Sequence, residues 1–88
     1  MRKIALLIRD RQAEAMRMGL GLTILNDRID IYLTQRLGSS IYSSQDLILI
    51  KELGLKVYTL TEENRDFEYL SPEDAALRLL EYDIVLPY

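Results

Sequence analysis

Four short apolar runs, KIALLI (3–8), IDIYLT (29–34), LKVYTL (55–60) and DIVLPY (83–88), alternate with segments of helical character, and this alternation narrows the architecture more than any other feature. A continuous apolar run suits a strand buried on both faces, as in a parallel sheet covered by helices. Asp10 is placed to cap a first helix running to about Asn26. Met16, Leu20 and Ile24 recur along it at i+4 spacing, with Ala13 and Leu25 widening the stripe. Asn26-Asp27 supplies the turn before the second strand. Residues 35–44 form a polar connection, and Ser43 or Ser44 caps a short helix, QDLILIKEL, that Gly54 ends in the C′ position. TEENRDFEY (61–69) reads as a charged surface loop. SPED (71–74) then opens a last helix reaching about Glu81: Ser71 caps, Pro72 takes the first helical position, and Glu73 and Asp74 favour its positive end. Pro87 has no backbone donor, so the final strand ends there.

The order β-α-β-α-β-α-β implies right-handed crossovers and helices on both faces. The expected fold is a single α/β domain over residues 1–88, a three-layer α/β/α arrangement around a four-stranded, mainly parallel sheet. KIALLI is the most uniformly apolar run and is expected at the centre, with spatial order 3-2-1-4. That is half of a dinucleotide-binding topology.

Composition removes several function classes. With no cysteine, disulfides, thiolate catalysis and cysteine metal sites are excluded. With no histidine, the commonest metal ligand and general base is gone as well. A net charge of −3 argues against nucleic acid, which needs a concentrated basic surface. MRKIALLIRD has too few apolar residues for the ~7–15 of a secretory core. No stretch approaches the ~20 of a membrane span, so a cytoplasmic protein is expected. An apolar share of 49% is generous for so small a domain and leaves room for a subunit interface.

AMRMGLGL (15–22) holds a Gly-x-Gly, but Gly19 and Gly21 lie about ten residues past the strand, inside the helix, and no third glycine follows. A dinucleotide fingerprint needs its glycines in the strand–helix turn. The pair is therefore read as structural, letting the helix approach the sheet or another subunit.

KIALLIRD, AEAMRMGLGLTI and DIYLT, together with the ending LSPEDAALRLLEYDIVLPY, resemble the small DsrE/DsrF/DsrH-like proteins, which include Tus-type sulfur-relay subunits. The similarity spans nearly the whole chain. It implies a parallel three-layer fold and assembly as dimers, trimers or hexamers. Sulfur-carrying relatives pass persulfide through a cysteine after the third strand. The matching region here, Thr59, Leu60 and Thr61, has none. The resemblance thus implies a non-catalytic oligomeric subunit, a homo-oligomer or a partner of cysteine-bearing sulfur-relay proteins, unable to carry persulfide itself.

The alternative is a small-anion or nucleotide-fragment binding domain. In open α/β sheets ligands bind beyond the carboxyl ends of strands, where the strand order reverses. Order 3-2-1-4 brings Arg9, Asp10 and Arg11 beside Tyr88, with GSSIYSS (38–44) and its Ser39, Ser40 and Tyr42 nearby. Two arginines at a helix N-terminus could hold a phosphate, sulfate or carboxylate, although a capping aspartate between solvated arginines is the plainer account. The acidic set Glu62, Glu63, Asp66 and Glu68 has Arg65 among it and reads as a solvated loop. Tyr32 and Tyr58 alternate with aliphatic neighbours on their strands, pointing to a face covered by a helix or a partner. No catalytic residue, metal or cofactor is assigned, and neither nucleic acid nor membrane is expected as a partner.

Overall fold

The computed structural model of the chain describes residues 1–25 and 27–88. Five parallel strands form one sheet in the order β4-β3-β2-β1-β5, with β1 at Lys3–Ile8, β2 at Arg28–Leu33, β3 at Lys56–Thr59, β4 at Glu68–Tyr69 and β5 at Ile84–Pro87. The expected count of four strands and the order 3-2-1-4 are corrected by β4. This strand lies in the segment read as a surface loop and pairs Glu68 and Tyr69 with Tyr58 and Thr59. With this added edge the middle of the sheet passes to β2, while β1 remains paired on both sides, Ile4 to Ile29 and to Ile84. β4 was hidden because it is two residues long and bears charged, exposed positions, which suits an edge.

Four helices accompany the strands: α1 (Gln12–Thr23), α2 (Ser39–Tyr42), α3 (Gln45–Glu52) and α4 (Pro72–Leu79). Two caps act as the sequence indicates. Ser44 accepts a hydrogen bond from the Leu47 amide and Ser71 from the Asp74 amide, each satisfying a first-turn donor. Gly54 closes α3 with φ of 77°, a left-handed value at which a side chain would be strained. The expected Asp10 cap does not form. Arg11 occupies the N-cap position without a side-chain cap, and the Asp10 carboxylate turns to Arg9 instead. The helix also stops earlier than expected, at Thr23. Asn26, and with it the anticipated Asn26-Asp27 turn, lies outside the described residues. α2 is a single turn inside the stretch expected to be an irregular connection.

Period-2 alternation divides each strand between two helix layers. Ile4, Leu6 and Ile8 of β1 and Ile29, Ile31 and Leu33 of β2 face α1 and α3, where Ala15, Met16, Leu47 and Ile50 complete a fully buried core. Of the expected stripe on α1, Met16 is buried and Leu20 packs against the core, whereas Ala13, Ile24 and Leu25 are exposed. Ala15 and Gly19 complete the buried face. Gly19 rests on the sheet so closely that a Cβ there would lie 3.1 Å from Leu6 Cδ1. Gly21 differs, since a Cβ there would meet nothing within 4 Å. Close approach to the sheet is thus seen at Gly19, and Gly21 makes no such approach within the chain.

The opposite face carries Ala5, Tyr32 and Tyr58 and is covered by α4 through Ala75 and Leu79. It also buries a carboxylate, Asp30, which is only 2% exposed. Tyr82, just before β5, donates its hydroxyl proton to Asp30 Oδ2 at 2.5 Å and lies 2.9 Å from the Tyr32 hydroxyl. Arg28 Nε approaches the same carboxylate at 3.5 Å. Burial, then the hydrogen bonds to Asp30 and Tyr32, push the Tyr82 phenol well above its ordinary value.

Two outcomes follow from this packing. Gly21→Ala removes backbone freedom from the unfolded chain without a clash, so urea denaturation should show a gain of roughly 0.5–1 kcal/mol. Tyr82→Phe leaves Asp30 short of a donor and should cost about 1–3 kcal/mol. Because the folded phenol holds its proton more tightly than the unfolded one, its contribution is complete below about pH 10 and declines as pH rises above it. Denaturation between pH 8 and 12 should therefore show a shallower alkaline fall in Tyr82→Phe than in the parent.

Candidate functional site

A cleft of about 600 Å³ opens beyond the carboxyl ends of β1, β2 and β5, lined by Leu7, Arg9, Asp10, Arg11, Thr34, Pro87 and Tyr88. It sits where the order of strands reverses: β1, β2, β3 and β4 step one way across the sheet, and β5 returns to the other side of β1. Connections leave such a point in opposite directions, which creates the crevice.

Backbone hydrogen bonds fix its walls. The Tyr88 amide donates to the Leu7 carbonyl at 2.8 Å, and the Arg11 amide donates to the Tyr88 carbonyl at 3.0 Å. The Arg11 guanidinium lies over the Tyr88 ring, 5.2 Å from its centroid. Across the cleft, both the amide and the hydroxyl of Thr34 donate to the Ile8 carbonyl, at 2.9 and 3.0 Å. The first turn of α1 has no side-chain cap, so its positive end opens here beside Arg11.

The arginines are held loosely. Arg9 Nε meets Asp10 Oδ2 at 3.2 Å and Arg11 meets Glu14 at 3.6 Å, all four side chains being more than half exposed. Exposed pairs of this kind contribute about 0–1 kcal/mol. An incoming anion can displace either carboxylate at little cost, and a planar guanidinium can grip it with two parallel donors.

Of the expected site residues, Arg9, Asp10, Arg11 and Tyr88 come together. Ser39, Ser40 and Tyr42 do not line the cleft. The Gln12 side chain explains the divergence: its amide donates to the Arg36 carbonyl at 3.0 Å and accepts from the Gly38 amide at 2.9 Å. The chain after β2 is thereby tied to the start of α1 and led away over the sheet. Ser39 and Ser40 end exposed on α2, and Tyr42 stacks on Phe67 with ring centroids 6.1 Å apart. Thr34 was missed as a lining residue, although its place as the last residue of the second apolar run was the available signal.

Thr59, Leu60 and Thr61 lie elsewhere, between β3 and the returning loop. Thr59 is fully buried, donates to the Thr61 carbonyl, and accepts from the Thr61 amide and from Asn64. The Leu60 amide donates to the Leu33 carbonyl at 2.8 Å. Asn64, 1% exposed, accepts from the Leu37 amide at 2.8 Å and donates to the Gln35 carbonyl at 2.9 Å. This region is a clasp between two loops, with every polar group of Thr59 and Asn64 engaged internally. Glu62, Glu63, Asp66 and Glu68 remain exposed, and among the described residues no three metal-ligating side chains of His, Cys, Asp or Glu converge.

Comparison with protein-family models, with curated proteins and with solved structures finds no match to this chain.

Proposed function

We propose that the chain is a binding domain, not an enzyme, for a small organic anion carrying a phosphate or carboxylate, a nucleotide fragment included. The observation that carries this reading is the conjunction of Arg9, Arg11 and an uncapped helix N-terminus at the cleft where the strand order reverses. The arginines take the charged group, the α1 amides add aligned donors, and the Tyr88 ring with Leu7 and Pro87 offers an apolar wall to the remainder of the ligand.

A second reading keeps the DsrE-like resemblance: a non-catalytic subunit that forms a homo-oligomer or joins cysteine-bearing sulfur-relay proteins. Its support is the bare outer side of α4, where Leu77 is 66% and Leu80 81% exposed. In both readings the protein acts in the cytoplasm. Among the described residues, no helix is long and apolar enough to cross a membrane.

Titration with nucleoside monophosphates, followed at the Tyr88 ring signals by NMR, tests the first reading. Saturable shifts are expected in the parent, and replacing both Arg9 and Arg11 by alanine should weaken binding by at least about tenfold for each charge-assisted bond lost. Unchanged affinity in that variant would overturn it. Native mass spectrometry tests the second, which requires masses at multiples of the 10.3 kDa chain or a stable complex with a cysteine-bearing protein. A lone 10.3 kDa species at all concentrations, with no partner retained, would remove it.

A further inference from the structure

The sheet face beneath α4 contains a second cavity of about 280 Å³, toward the amino ends of β1 and β2, and it shares no residue with the cleft at their carboxyl ends. Its lining brings three cations, Lys3, Arg28 and Arg78, against two carboxylates, Asp30 and Glu81. Asp30 is already engaged by Arg28 at 3.5 Å and by the Tyr82 hydroxyl at 2.5 Å, and Arg28 is thereby committed to it. Two cations are left over. Among the described residues neither Lys3 Nζ nor the Arg78 guanidinium lies within 4.0 Å of a carboxylate. Each lies on an aromatic ring instead, Lys3 Nζ 4.7 Å from the centroid of Tyr82 and Arg78 Cζ 5.2 Å from that of Tyr58.

These rings are not free to move aside. Tyr32 stands between them, with centroids 5.1 Å from Tyr58 and 5.8 Å from Tyr82, and it is fully buried. The hydrogen bonds from Tyr32 to Tyr82 and on to Asp30 lock the floor of the cavity. An ammonium and a guanidinium thus stand above a rigid aromatic floor, with the Tyr58 phenol on the same wall, and neither cation has a carboxylate partner among the described residues. The Arg28 guanidinium, 3.5 Å from Asp30, offsets part of the repulsion that carboxylate would exert on an anion. Glu81 is exposed, so water screens its charge.

We propose that this cavity is a second binding site, for a small oxyanion held between Arg78 and Lys3 over the Tyr32-Tyr58-Tyr82 floor. Its volume lies just under the ~300–1,000 Å³ of pockets that enclose drug-sized ligands, so the occupant is phosphate, sulfate or a short carboxylate rather than a nucleotide. The inference stands apart from the function proposed for the cleft and shares none of its residues.

Titration of the protein with inorganic phosphate, and separately with acetate, while following the tyrosine ring signals by NMR, tests it. Saturable shifts at Tyr58 and Tyr82 with at least one probe are expected. They should persist when Arg9 and Arg11 are both alanine and weaken roughly tenfold or more when Arg78→Gln and Lys3→Met are combined. Should Lys3→Met disturb β1, Arg78→Gln alone, at an exposed position on α4, gives the same readout. Shifts confined to Tyr88 would overturn this site while leaving the cleft standing. No saturable shift with either probe, or full affinity in the Arg78 variant, would overturn it as well.

Discussion

A parallel sheet has no face it can leave in water, and in a chain this short that constraint governs nearly every other feature. Two helices of ordinary length, with one short turn, cover the face of Ile4, Leu6, Ile29 and Ile31. Only α4 remains for the other face, because it alone belongs to the crossover from β4 at one edge to β5 beyond β1. One eight-residue helix cannot roof five strands, and the gap is filled by tyrosines and by a buried carboxylate with its partners. Burying Asp30 costs several kcal/mol unless it is fully bonded. Tyr82 supplies a hydrogen bond and Arg28 an ion pair at 3.5 Å, and Tyr82 thereby fixes the segment entering β5 against β2.

The two cavities follow from the same shortage. At the carboxyl ends, β5 returns beside β1 and leaves the reversal of strand order open to solvent, with Arg9, Arg11 and the uncapped start of α1 around it. At the amino ends, α4 does not reach far enough to close the sheet, and Lys3 and Arg78 stand over the tyrosines at its margin. One cleft sets exposed arginines beside an apolar wall of Leu7, Pro87 and Tyr88. The other has a rigid aromatic floor. The first holds about 600 Å³ and the second about 280 Å³, which sets the size of ligand each can take.

Thr59 shows how a polar side chain at a strand end is taken up by the fold. Its hydroxyl is consumed by Thr61 and Asn64 in a buried clasp that holds two loops together. A side chain so engaged carries no reagent, and the position serves the fold. The position anchors the chain between β3 and β4.

How much of this was legible beforehand depends on the range of the interactions. The four principal strands, the Ser44 and Ser71 caps, the Gly54 terminus and the meeting of Arg9, Asp10 and Arg11 with Tyr88 were all within reach, because each follows from local pattern or from the order of elements. β4 was not, since two exposed residues, Glu68 and Tyr69, form a strand only where Asn64 ties their loop to the sheet edge. The diversion of Ser39 and Ser40 by Gln12 likewise depends on neighbours distant in sequence, whereas Asp10 fails to cap α1 because the adjacent Arg9 takes its carboxylate. The burial of Asp30 was not legible either, because its partner Tyr82 lies fifty-two positions on. The sequence by itself determined the strand and helix rhythm, and hence a parallel sheet with helices on both sides. The tertiary structure alone decided which polar groups were buried and satisfied and which were left free to bind, because that depends on partners brought together only when the sheet closes.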